Sequence, residues 1–127
     1  MPLDHERLEV YQVALEFLVL ADEVIESLPR GRRHIADQLT RASISIVLNI
    51  AEGAGKFSKP DKRRYYLTSV GSATESAAIF DVCMKLKLIT PELHQRGKQL
   101  LERIVSMLVK LASPSLPRQR DDQAPLR

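Results

Sequence analysis

The sequence lacks most of what marks a secreted, membrane-spanning or metal-holding protein. Its 127 residues include one cysteine, Cys83, which excludes an intramolecular disulfide and any metal site built from several thiolates. No uncharged run reaches the 18 residues a membrane span requires. The N-terminal stretch Met1 to Arg7 carries Asp4 and Glu6 where a secretion signal needs a basic start followed by an apolar run, so a cytoplasmic protein without membrane contact is expected. The histidines His5, His34 and His94 show neither Glu-x-x-His nor His-x-x-x-His spacing, and the di-iron bundle pattern fails. No serine has recognisable His and Asp partners. No catalytic residue, metal, cofactor or small-molecule substrate is therefore expected, and Cys83 reads as an inert thiol on the apolar side of a helix. Tryptophan is absent, aromatics make up 5%, and Gly and Pro number five and seven. What remains is rich in Ala, Leu, Ile, Val, Glu, Arg and Lys, the composition of a helix bundle. With 44% hydrophobic residues the chain can fill one core, and its length suits one domain.

The net charge of +3 is too small to imply nucleic acid, but its distribution is uneven. Residues 1–30 carry seven acids and two bases, and residues 31–65 carry eight bases and three acids. An acidic first helix thus precedes a basic middle. The asymmetry suits an anion-binding face; it equally suits charge matching between the first helix and its neighbours.

Four helices are predicted. Helix 1 runs from Asp4 to Leu28 and stops at Pro29. Helix 2 runs from His34 to Ala54, with Ile35, Leu39, Ala42, Ile46, Asn49 and Gly53 stepping by four and three along one seam, and Gly53 and Gly55 ending it. Asn49 on this seam is expected to set register through a buried hydrogen bond. Helix 3 opens at Ser58-Lys-Pro-Asp61, where Ser58 caps and Pro60 fits the first turn. Its seam is Tyr66, Val70, Ala73, Ala77, Phe80, Met84 and Leu88. Helix 4 opens at Thr90-Pro91-Glu92, with seam Leu93, Gly97, Leu100, Ile104, Met107 and Leu111. Short connections make successive helices antiparallel. The expected fold is all-α, an up-down four-helix bundle over residues 1–113, followed by a disordered, proline-containing tail over residues 114–127.

Three helices carry more apolar surface than one core-facing stripe. On an ideal helix the apolar arc of helix 1 spans roughly 220°, against a usual stripe somewhat over 100° wide. Such surplus on a monomer would be exposed. A homo-oligomer is expected, with interfaces through Val13, Phe17 and Leu20 of helix 1, Ile44 and Leu48 of helix 2, and Ile79, Val82 and Leu86 of helix 3. The competing reading makes helix 1 central in an irregular bundle.

The segment Lys56 to Arg64 holds five bases and one acid, most of them in the first turns of helix 3. Cations there oppose the helix dipole, whereas a phosphate would meet free backbone N–H groups and the lysines. Arg41, Lys56, Lys59, Lys62, Arg63 and Arg64 are the candidate phosphate contacts, with Phe57, Tyr65 and Tyr66 close enough in sequence to stack bases. The structural alternative buries Tyr66, packs Tyr65 between subunits and pairs Arg63 and Arg64 with glutamates of helix 1. A second basic turn, Arg30 to Arg33, falls at the opposite end of the bundle. Gly53 to Ser58 fails as a phosphate loop, because Lys56 is not followed by Ser or Thr and the segment leaves a helix, not a strand. Glu52 can pair with Arg41 or with a neighbouring subunit.

The stretches Leu8 to Leu15, Gln38 to Ser58 and Arg64 to Ser76 resemble the bacterial four-helix-bundle family also called the 23S rRNA intervening-sequence protein family, most specifically in Asn49-Ile-Ala-Glu-Gly53 and Gly71-Ser-Ala-Thr-Glu75. Leu48 and Lys56 stand where the family pattern leads one to expect Ala or Val and Arg. The resemblance covers residues 3–113 and implies a bundle that assembles as a ring-like pentamer. A similar branch, the accessory variability protein of diversity-generating retroelements, binds nucleic acid and a reverse transcriptase. The resemblance thus implies self-association and a partner that is RNA, DNA or a nucleoprotein enzyme. The expected function is a non-enzymatic oligomeric module contacting nucleic acid; the alternative is a protein–protein scaffold without nucleic acid.

Overall fold

The computed structural model describes residues 3–113; the tail expected to be disordered lies outside them. Four helices follow one another: α1 (Glu9–Ser27), α2 (Arg33–Ala54), α3 (Lys59–Lys85) and α4 (Pro91–Ala112). Helix 1 of the sequence reading is two pieces. Asp4–Arg7 form a 3-10 turn, and the chain extends at Leu8 before α1 begins. A second 3-10 turn, Arg30–Arg32, leads into α2. The α3 and α4 starts agree with the cap signals: Ser58 Oγ accepts from Asp61 N–H at 3.2 Å, and Thr90 Oγ1 accepts from Leu93 N–H at 3.1 Å.

The connections Leu28–Arg32, Gly55–Ser58 and Leu86–Thr90 are too short to return along a helix, so neighbours run antiparallel. Helix α1 packs on α2 and α4, and α3 packs on α2 and α4, which makes a four-cornered bundle. This arrangement corrects part of the interface expectation. Val13, Phe17 and Leu20 are buried in the chain's own core with Val10, Ala14, Ala21 and Val24. A corner helix meets two partners from different directions, so a single subunit covers an arc much wider than one stripe. Ile79 is half-buried against the same core. By contrast, Ile44, Leu48, Val82 and Leu86 stay exposed, as does Val19 of α1.

Phe80 of α3 and Phe17 of α1 meet at the centre, ring centroids 5.4 Å apart. Gly97 of α4 lies against the Phe80 ring so closely that no side chain fits there. The buried line of α3 is Tyr66, Ser69, Ala73, Ser76, Phe80 and Cys83, turned from the expected seam; Val70, Ala77, Met84 and Leu88 are only half-buried. On α4, Leu108 and Ala112 are buried in place of Met107 and Leu111. Two hydrogen bonds join α2 to α3: buried Ser69 Oγ donates to Ile46 O at 2.9 Å, and half-buried Ser72 Oγ donates to Ser45 Oγ at 2.7 Å, whereas the buried Ser76 Oγ has no partner among the described residues. The register role expected of Asn49 falls to Ser69 and Ser72. Asn49 is half-buried and donates to Ser45 O and Ser45 Oγ within its own helix.

Among the described residues no helix is long and apolar enough to cross a membrane.

Candidate nucleic-acid interface

The basic segment sits at the end of the bundle where α2 stops, α3 starts and α4 finishes. Helix α2 ends without a left-handed residue: Gly55 has φ −85° and its N–H donates to Ala51 O. Gly53 is needed for space. A Cβ there would lie 2.8 Å from the Tyr66 ring and 3.2 Å from Tyr65 Cβ. The last carbonyls of α2 take a side chain from α3, although Gly53 O already accepts from Lys56 N–H. Lys62 Nζ donates to Ala54 O at 2.9 Å and reaches Gly53 O at 3.4 Å. A cation at a helix C-terminus is favourable, because the last carbonyls carry partial negative charge. Lys62 thus ties the two helices together, a role the residue order alone did not reveal.

The other bases are placed as differently. Lys56 Nζ lies 3.5 Å from Glu52 Oε2 and 5.1 Å from the Tyr65 ring centroid. Arg64 covers the same ring at 4.6 Å and lies 3.7 Å from Asp61. Tyr65 is therefore flanked by cations of its own subunit. The pairing of Arg63 and Arg64 with helix 1 is not what forms: Arg64 pairs within α3, and Glu9 of α1 meets Arg103 of α4 at 3.3 Å. Likewise Glu52 meets Lys56, not Arg41. Tyr66 is buried, and burial pushes its phenol pKa up. Phe57 is fully exposed.

Lys59, Lys62 and Arg63 line a cleft of about 540 Å³ with Pro60 and, from the last turn of α4, Lys110, Leu111, Ala112 and Ser113. Among the described residues that line it, four are cations and none carries a carboxylate. Lys110 was not among the candidate phosphate contacts. The antiparallel order was the available signal, since it puts the end of α4 beside the start of α3. The backbone offers anions less than expected. Pro60 has no N–H, Asp61 N–H is taken by Ser58 Oγ, and Lys62 N–H is taken by Ser58 O. Any phosphate here would be held by side chains. Arg41 is not brought to the cleft. It is exposed on α2, thirteen residues before Ala54 and so about 20 Å along the helix. There it shares a face with Ile44 and Leu48.

The exposed apolar residues form separate patches. Leu18, Val19, Ile25 and Ile44 line a groove of about 340 Å³ between α1 and α2, with Asp22, Thr40 and Ser43. Ser72 lies level with Ser45, so Val82 and Leu86 fall about 13 Å or more along the axis from Ile44. At that far end Asp81 Oδ1 accepts from Lys98 Nζ at 2.7 Å and from His94 Nε2 at 2.8 Å. A carboxylate only accepts, so His94 carries a proton on that nitrogen. Lys98 first, then His94, hold the Asp81 carboxyl below its usual pKa. Cys83 is buried, and burial raises its thiol pKa, as an inert core cysteine requires. Among the described residues no group of three His, Cys, Asp or Glu is placed to hold a metal ion.

No curated protein matches the chain. A solved structure from Bacteroides thetaiotaomicron, a protein of unknown function from the S23 ribosomal protein family, shares the fold. The TM-score is 0.76 at 20% sequence identity, over 83% of this chain and 99% of that one. Neither this likeness nor the family match bears on the retroelement accessory branch. Residues 6–110 match the description 23S rRNA-intervening sequence protein, and the chain, with its four-helix fold, belongs to that family.

Proposed function

We propose that this protein is a non-enzymatic, cytoplasmic module that binds the phosphates of RNA or DNA at the α2–α3 end of its bundle and works as a homo-oligomer, the pentamer its family resemblance implies. The cleft carries this reading: among the described residues that line it, Lys59, Lys62, Arg63 and Lys110 are cations and none is an acid. Lys62 is bonded to neutral carbonyls, so its charge remains to act on an anion. A ring of subunits would repeat that field around one axis, and avidity would make up for the modest charge of each copy. The family description speaks of rRNA, which fits an RNA partner.

The test is a mobility-shift titration with RNA and DNA at rising salt. Binding should weaken steeply with salt. The triple variant Lys59→Ala, Arg63→Ala, Lys110→Ala should lower the log–log salt slope by roughly 2 to 3 per bound subunit. It spares Lys62 and Arg64, which support the fold or Tyr65. No shift at low salt with either nucleic acid would sink the proposal.

A second reading, a protein–protein scaffold, is favoured by the α1–α2 groove and exposed Leu48. Ile44→Asp with Leu48→Asp should dissociate an oligomer built on that face while leaving the folded subunit, as light scattering would show.

A further inference from the structure

Three aromatic residues stand at the basic end, and the fold withdraws two of them. Tyr66 is buried beneath Gly53, and Tyr65 is flanked by Lys56 and Arg64. Phe57 alone is left fully exposed, in the short connection between α2 and α3. It follows Lys56 directly and stands two residues before Lys59, hence within about 7 Å of it along the backbone. Its ring therefore presents, beside a cluster of cations, an aromatic face that nothing in the described subunit covers.

We infer that Phe57 is a stacking platform for an unpaired base, so that this site takes single-stranded or looped nucleic acid in preference to plain duplex. The inference rests on the phosphate-binding reading above and names its substrate class. Phenylalanine has no hydrogen-bonding atom with which to read a groove edge, but its face accepts any base that is free to unstack. In a duplex each base face is already covered by its neighbours, and a wedge must first break a base step. In a single strand the faces are available, and the backbone joined to a stacked base passes Lys59, on the rim of the cleft that Arg63 and Lys110 also line. A second copy of the same end is a poor occupant, since it would press cations against cations.

The chain has no tryptophan, so Phe57→Trp supplies a lone fluorescent reporter. The probes are a 20-nucleotide oligouridylate, oligothymidylate of equal length, and a mixed-sequence duplex of 20 base pairs. Single strands should quench the indole emission of the Phe57→Trp variant and duplex should not. Phe57→Ala should weaken single-strand binding by roughly 5- to 150-fold, the worth of one base–aromatic stack, and leave duplex binding and the oligomer unchanged. Equal binding by Phe57→Ala and the parent would overturn the stacking while the phosphate reading stands. No binding of any oligonucleotide by the parent protein would overturn both. A changed oligomer in Phe57→Ala would make the ring a subunit contact instead. Emission shifts with phosphatidylserine–phosphatidylcholine vesicles, and none with oligonucleotides, would make it a membrane contact.

Discussion

The two ends of α3 treat cations differently. At its start, Lys62 rests on the carbonyls of Gly53 and Ala54, and Lys56 and Arg64 lie over the Tyr65 ring. At its end, Lys98 and His94 converge on the Asp81 carboxylate. A carbonyl or a ring orients a cation without cancelling its charge; a carboxylate cancels it. Being engaged is therefore different from being neutralised: Lys56 and Arg64 also lie 3.5 Å from Glu52 and 3.7 Å from Asp61, whereas Lys62 rests on carbonyls and keeps a charge that Lys98, on Asp81, does not. The termini differ in backbone as well. The start is capped by Ser58, whereas the end closes with Lys87 in the left-handed region at φ 61°, its N–H on Met84 O and Leu88 N–H on Cys83 O. That is a Schellman turn without the usual glycine.

The comparison can be broken most strongly at the C-terminal half. Phe80→Ala removes the ring that fills the space above Gly97 and meets Phe17, and is expected to cost about 3–5 kcal/mol by chemical denaturation. At the N-terminal end the largest effect should come from Gly53→Ala, whose Cβ meets the buried Tyr66 ring; overpacking should cost about 1–3 kcal/mol. Lys62→Met tests the cap itself. It should lose about 1 kcal/mol, whereas exposed Arg63→Ala should change stability by less than about 0.5 kcal/mol. Equal losses in the two would mean that the carbonyl contact contributes nothing. Lys87→Gly should stabilise by about 0.5–1 kcal/mol, because glycine adopts that backbone without a Cβ clash.

The smallest effect concerns pH. Asp81 has a lowered pKa in the fold, so it stabilises the protein above its ordinary value of 3.8 and that contribution fades as pH falls through the lowered value. Asp81→Asn should be slightly less stable than the parent at neutral pH, and the two should converge in acid. Melting curves across that range would show whether the cluster neutralises charge, as the contrast with Lys62 requires.

Much of the frame was readable in the residue order. Ser58 and Thr90 cap helices through the side chain they present three residues before an N–H, and such signals are local. The exposure of Ile44 and Leu48 was also legible, since both point away from the α2 seam. Val13, Phe17 and Leu20 were misread because an apolar arc on a helix does not say how many neighbours cover it. Asn49 was misplaced because a polar residue at seam spacing need not reach the facing helix. Lys110 went unnoticed because it is far in sequence from Lys59 and Arg63 and meets them only through antiparallel packing.

The sequence by itself determined four helices, their caps, their short connections and a concentration of cations between residues 56 and 64, all of which depend on contacts within a turn or two of chain. Tertiary structure decided which cation meets carbonyls of another helix, which aromatic ring reaches solvent and which apolar positions are covered. These depend on what arrives from another helix: carbonyls of α2 for Lys62, Gly53 for Tyr66, the last turn of α4 for the cleft. A side chain's chemistry is written locally, but its availability is set by neighbours that folding brings from elsewhere in the chain.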